Sequence, residues 1–93
     1  MKVRFSGSAE ADLDRIGDSI AEYDSERARL TVKGLRAAAR SLSVLPRAPA
    51  PVPSSPGVRK KTIRPYVLLY TIAGGEIVLL RIAHERSDWV SLV

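Results

Sequence analysis

Five prolines lie within residues 46–57 (PRAPAPVPSSPG), and no other feature limits the fold of this chain so strongly. Proline fixes its own φ and removes a backbone donor, so the run can be neither a helix nor an interior strand. It separates a first part whose apolar residues recur at helical spacing from a last part that reads as strands. Residues 58–93 are too few to build a second globular unit. The run is therefore expected to be an ordered, extended crossover inside one domain spanning residues 1–93. A chain of 93 residues stands in the upper part of the roughly 60–100-residue interval over which a single core passes from marginal to comfortable. Hydrophobic residues at 45% and charged residues at 27% are ordinary globular values and exclude a wholly disordered chain.

Before the crossover, Lys2-Val3-Arg4-Phe5-Ser6 alternates in polarity and predicts a short strand. Ser6 or Ser8 can cap a helix, with Glu10 and Asp12 in the first turn, where the helix dipole favours negative charge. Ala9, Leu13, Ile16, Ile20 and Tyr23 form one apolar stripe. The carboxylates of Glu10, Asp12, Asp14 and Asp18 read as its polar, solubilising face. Asp24-Ser25-Glu26 breaks the stripe and starts a second helix, where Ala28, Val32, Leu35, Ala39 and Leu42 repeat the spacing until Pro46. Gly34 lowers helix propensity by about 1 kcal/mol relative to Ala, and a close contact between the two helices is the expected reason.

After the crossover, Val58–Arg64 is a basic strand candidate, Tyr66–Ile72 a second and Glu76–Ala83 a third, with Gly74-Gly75 as a tight hairpin turn. IVLLRIA is apolar on both parities and predicts a central strand. The expected architecture is α+β: a two-layer sandwich in the order β-α-α-β-β-β, with a helical hairpin packed on one face of an antiparallel sheet and the other face open.

Composition narrows the chemistry. There is no cysteine, and His84 is the only histidine. Thiolate and multi-histidine metal sites are thereby excluded within one chain, and no metal or cofactor is expected. No run reaches the roughly 18 apolar residues of a membrane span, and MKVRFSGSAEADL lacks a signal-peptide core. The default expectation is a soluble cytoplasmic domain without membrane contact. Charge is uneven: residues 1–45 hold eight basic and seven acidic side chains, residues 46–93 seven and three. An acid-poor basic half suits an anionic partner, either nucleic acid or an acidic protein.

MKVRFSGSAEADLDRI, the helical pair ending in SLSVLP, the VRKKTIRPYVLLYTI hairpin and the closing IVLLRIAHERSDWV together resemble the RelE/ParE superfamily of bacterial type II toxins, over essentially the whole chain. Its more specific parts are the opening strand–Ser–helix and the final Arg81, Ile82, His84, Arg86, Asp88, Trp89 segment. The resemblance implies a toxin silenced by an antitoxin usually encoded beside it, with a ParE-like member pairing with a ParD-like antitoxin in a hetero-oligomeric complex. In the family the antitoxin lies across the helical hairpin and sheet. Leu13, Ile20, Leu30 and Val44 are the candidate contacts here. Leu13 and Ile20 read first as core, whereas Leu30 and Val44, off the main stripe, read first as partner contacts.

Function divides the superfamily. RelE-like members cut mRNA on the ribosome, using basic residues of the sheet and a C-terminal tyrosine or histidine, while ParE-like members inhibit DNA gyrase. The arginine often found after the first tyrosine of the middle strand is replaced here by Val67, and Val90 stands near the place of the C-terminal tyrosine. His84, with Arg81 and Arg86, is the remaining candidate catalytic set, His84 acting as acid or base. His84 nevertheless reads first as a strand-end histidine that bonds Asp88 or a backbone carbonyl. Trp89 either packs over the sheet's edge or stacks on a nucleobase. Arg59, Lys60, Lys61 and Arg64, together with Arg81, Arg86 and Trp89, are the candidate target-binding residues, and at least two of the first four cations should reach solvent together. Charges on that strand could equally protect a sheet edge. The resulting expectation is a ParE-like toxin that binds DNA gyrase, with an RelE-like mRNA endonuclease as the alternative.

Overall fold

A computed structural model describes residues 1–93. Strand β1 (Lys2–Phe5) leads into helices α1 (Gly7–Ala21) and α2 (Ser25–Ser41). Strands β2 (Pro51–Val52), β3 (Ser55–Ile63), β4 (Tyr66–Ala73) and β5 (Glu76–His84) follow, and a short 3-10 helix covers Trp89–Leu92. Both helices begin on side-chain caps. The Ser6 hydroxyl accepts the Ala9 amide at 3.0 Å, and the Asp24 carboxylate accepts the Arg27 amide at 3.0 Å. Each satisfies a donor that a helix start otherwise leaves unpaired.

The strands form one sheet in the order β1-β5-β4-β3-β2. The two-layer α+β sandwich is as expected, and the last strand is interior, flanked by β1 and β4, while β4 takes the centre. Two details differ. The sheet is mixed, because β1 runs parallel to β5 from Lys2 opposite Glu76 to Phe5 opposite Leu79; the intervening helices and crossover return the chain in the same direction. The crossover also contributes a strand of its own: Ala50 accepts the Lys60 amide at 3.2 Å, and Pro51 stands opposite Arg59. Short and rich in proline, β2 sits at the sheet edge, where missing donors cost no ladder bond. Gly74 and Gly75 take φ of 58° and 75° in the β4–β5 turn, values that suit residues without Cβ.

The core lies between helices and sheet. Ala9 and Leu13 of α1, with Leu35, Ala39 and Leu42 on or just past α2, meet Leu68, Tyr70, Ile77, Leu79 and Ile82. The apolar stripe of α1 ends earlier than its spacing suggests. Tyr23 falls beyond the helix and is 88% exposed. The other sheet face is not left open. Val67 and Leu69, on the opposite parity, are 1% and 0% exposed, and Trp89 of the returning C-terminal segment lies beneath Lys60, the residue paired with Leu69. A strand apolar on both parities needs two covers, and nine residues after β5 supply part of the second.

The two helices meet at Gly17 and not at Gly34. A Cβ at Gly17 would lie 3.1 Å from Val32 Cγ2, whereas one at Gly34 would meet nothing within 4 Å. One ion pair, Glu10 on α1 with Arg36 on α2, also joins the helices. Glu10 takes both guanidinium nitrogens of Arg36 at 2.9 and 2.7 Å, and Asp14 and Asp18 line one shallow groove with Arg29 and Lys33. Glu10 therefore ties the two helices together, whereas Asp14 and Asp18 form no ion pair and remain on the exposed polar face. Both partners of the Glu10–Arg36 pair are about a third or more exposed, so it contributes roughly 1 kcal/mol or less.

Candidate functional site

The chain's one buried charged side chain is Asp12, 1% exposed. β1 pairs with β5 only as far as Leu79, so the next stretch of β5 has a free edge facing α1. Ser6 and Asp12 close it. The Ser6 amide and hydroxyl donate to the Leu79 and Leu80 carbonyls at 2.9 and 2.8 Å. Asp12 Oδ2 accepts the Ile82 amide at 2.9 Å, and the carboxylate accepts Arg81 Nε and Nη2 at 2.9 and 3.0 Å. Arg15, one turn along α1, also donates to it. Burial alone pushes the Asp12 carboxyl up; the Arg81 and Ile82 hydrogen bonds and the charges of Arg81 and Arg15 outweigh that, and the group lies below its ordinary value of 3.8. Arg81 is correspondingly held above its usual range by its hydrogen bonds to Asp12. Asp12 is thus the anchor between helix and sheet, and its assignment to the polar face is corrected. Its position was readable: Ala9, Asp12, Leu13 and Ile16 are spaced as one helix face, which places this acid within the apolar stripe.

The candidate catalytic set does not assemble. Arg81 is bound to Asp12. His84 is exposed, and its Nδ1 accepts the Arg86 amide at 3.1 Å while its ring meets Tyr66 edge-on at 6.0 Å between centroids. An accepting Nδ1 places the neutral ring's proton on Nε2, so the lone pair a general base would use is already occupied. Asp88 does not hold His84. It precedes the 3-10 helix without a side-chain cap bond, and its carbonyl accepts the Ser91 hydroxyl at 2.7 Å.

The basic strand is less free than its composition suggests. Arg59 Nη1 donates to the Arg47 and Pro49 carbonyls at 2.9 and 2.7 Å and pins the crossover. Lys60 Nζ stands 4.9 Å from the Trp89 ring centroid, a cation–π contact that holds the C-terminal segment. Arg64 meets Glu85 at 2.9 and 3.2 Å. Lys61 and Arg64 are the two cations of the four that reach solvent, and Lys61 does so without an ion-pair partner. Arg86 is exposed as well.

Among the apolar candidates, Leu13 is 1% exposed within the core and cannot contact another molecule, so that assignment is corrected. Leu30 and Val44 are 53% and 76% exposed, and Ile20 is half-buried. Ile20 and Leu30, with Tyr23, Gly34, Ile63 and Tyr66, line an open groove of 740 Å³ between the α1–α2 junction, one flank of α2 and the β3–β4 turn. Val44 lies outside it.

Residues 3–89 match the family model described as the ParE toxin of type II toxin-antitoxin system, parDE. Among solved structures, the chain is similar to one from the chromosomal ParDE TA system from P. aeruginosa, with 30% identity over 90% of this chain and 95% of that chain and a TM-score of 0.80. It is also similar to a chain of the toxin-antitoxin complex RelBE2 from Mycobacterium tuberculosis, with 26% identity over 89% and 88% of the two chains and a TM-score of 0.67. No curated protein sequence matches it. A helical hairpin on one face of a five-stranded sheet in the order β1-β5-β4-β3-β2, matched at this length, defines a toxin of the RelE/ParE superfamily. Within that superfamily, the chain belongs to the ParE toxin family of type II toxin–antitoxin systems. No helix is long and apolar enough to cross a membrane.

Proposed function

We propose that this toxin acts by binding, that its target is DNA gyrase, and that a ParD-like antitoxin silences it in a hetero-oligomeric complex in the cytoplasm. Membership of the ParE family supports the target, and the solved relatives, both from toxin–antitoxin systems, support the partner. The observation that favours binding over RNA cleavage is the capture of Arg81 by Asp12, at 2.9 and 3.0 Å, beside a His84 whose Nδ1 is already engaged. Phosphodiester cleavage needs a free base and cations aimed at the phosphate, and these two residues are turned to other work.

The purified chain is expected to inhibit supercoiling by gyrase and to leave mRNA intact on programmed ribosomes. His84→Ala should keep full toxicity. Reproducible A-site cleavage, abolished by His84→Ala in a folded protein, would reverse the assignment in favour of the RelE-like endonuclease.

Lys61 and Arg86 are the cations we assign to the target surface, because both are exposed and neither forms an ion pair in the chain. Lys61→Glu is expected to weaken growth arrest about tenfold in dose while leaving the melting temperature unchanged, since it reverses a contact charge outside the core. Growth arrest at the wild-type dose would remove Lys61 from the contact surface. Lys60 is the wrong residue for this test, because a carboxylate over the Trp89 ring would loosen the C-terminal segment as well.

A further inference from the structure

Gly34 stands midway along α2, a helix that continues unbroken from Ser25 to Ser41. It neither ends nor interrupts the helix, so the usual conformational reasons for glycine do not apply. Packing inside the chain does not require it either: it is exposed, and an added Cβ would meet nothing within 4 Å. The place where the helices press together is Gly17, against Val32. What Gly34 does line is the 740 Å³ groove. On the same rim stand Tyr23, 88% exposed, and Leu30, 53% exposed. Arg27 is there too, and its guanidinium has no ion-pair partner although Asp24, whose carboxylate accepts the Arg27 amide, lines the same groove; the groove's other arginine, Arg64, is held by Glu85.

We infer that Gly34 is a partner-contact and specificity residue: an apolar segment of the antitoxin lies in this groove with its backbone directly on the Gly34 Cα, and an acidic side chain of that segment pairs with Arg27. The inference rests on the toxin–antitoxin reading above. A missing Cβ lets two backbones approach as no other residue would allow, which gives a function to a helix-weakening residue that the chain itself does not use. Charge argues against a second copy of this chain as the occupant, since each copy carries a net charge of +5 and the groove sets two arginines, Arg27 and Arg64, against the single carboxylate of Asp24. A segment that is apolar and acidic complements both the exposed Tyr23 and Leu30 and the unpaired cation.

The test uses the toxin and the antitoxin encoded beside it, co-expressed, separated and titrated against each other by calorimetry. Gly34→Ala should raise the melting temperature of the free toxin, because alanine favours helix and its Cβ enters open space, yet weaken the complex severalfold. Gly34→Leu should raise Kd roughly tenfold to a hundredfold, the scale of a strained contact. Arg27→Glu should also weaken binding, whereas Lys33→Gln, which faces the other groove of the helical hairpin, should leave it unchanged. Wild-type affinity in Gly34→Leu, or an equal loss in Lys33→Gln, would overturn the assignment of Gly34 while leaving the toxin–antitoxin reading in place. Unchanged binding by Arg27→Glu would overturn the acidic pairing. Failure of the wild-type toxin to bind at all would overturn the reading itself.

Discussion

Asp12→Ala is expected to destabilise the domain by about 3 kcal/mol, measured as a lower midpoint in urea unfolding at neutral pH. Removing one member of a buried ion pair leaves the other without compensation, and typical costs run from about 3 to 5 kcal/mol. The lower end applies because Arg81 keeps 28% of its side chain exposed and can recover some solvation. The variant also strips the Ile82 amide of its acceptor on an edge that β1 does not reach. Asp12→Asn separates the two contributions: it can still accept one hydrogen bond but has lost the charge, so it should fall between the wild type and Asp12→Ala. Wild-type stability in Asp12→Ala would show that the anchor contributes nothing.

Acid titration provides a second readout of the same group. The folded carboxyl lies below 3.8, so below neutral pH the unfolded chain takes up the proton first. Asp12 therefore contributes its full stabilisation above about pH 5 and loses it as the pH falls through the folded value. Glu10, also held below its ordinary value chiefly by its hydrogen bond with Arg36, acts in the same direction. In Asp12→Asn the acid limb of the stability curve should be shallower than in the wild type. A superimposable limb would assign acid sensitivity to other carboxylates.

Arg59→Met is expected to cost about 2 kcal/mol and to release the crossover, because a charged donor shared by the Arg47 and Pro49 carbonyls is lost at once. Tyr70 holds the same segment from the core. Its side chain is fully buried, and its hydroxyl donates to the Pro46 carbonyl at 2.6 Å. Burial pushes the Tyr70 phenol up, so this donor stays protonated across the working pH range. Tyr70→Phe should cost a further 1–2 kcal/mol or so, with less than full additivity because both residues restrain one loop. Loss of toxicity in Arg59 variants should track the unfolding midpoint. An Arg59→Met protein with wild-type stability but no growth arrest would instead make Arg59 a contact residue.

The helices were legible because their apolar residues keep one spacing and because Ser6 and Asp24 announce their starts. The β4–β5 hairpin was legible because two glycines fall between apolar runs. The roles of the charged residues were much harder to read. The spacing of α1 puts Asp12 on the core face, but what it binds there depends on how far β1 extends along β5, and a four-residue strand that stops at Phe5 leaves the Ile82 amide to it. Arg59 resembles its neighbours in sequence, yet its partners are carbonyls of the crossover, 10 and 12 residues away. Lys60 becomes an anchor only because the chain returns beneath it with Trp89. Gly34 misled because the cost of a helical glycine is visible locally, whereas the absence of a neighbour is not.

Strand β1 and Asp12 share a dependence on β5, some 70 positions later in the chain. Hairpins such as β3–β4 and β4–β5 close over short distances and can assemble early, but β1 has nothing to pair with until Glu76–Leu79 are in place, and Asp12 nothing to anchor to until Arg81 and Ile82 follow. The underside of α1 therefore stays unclaimed until β5 has been made, so the N-terminal strand and helix complete their packing only after the final strand is available.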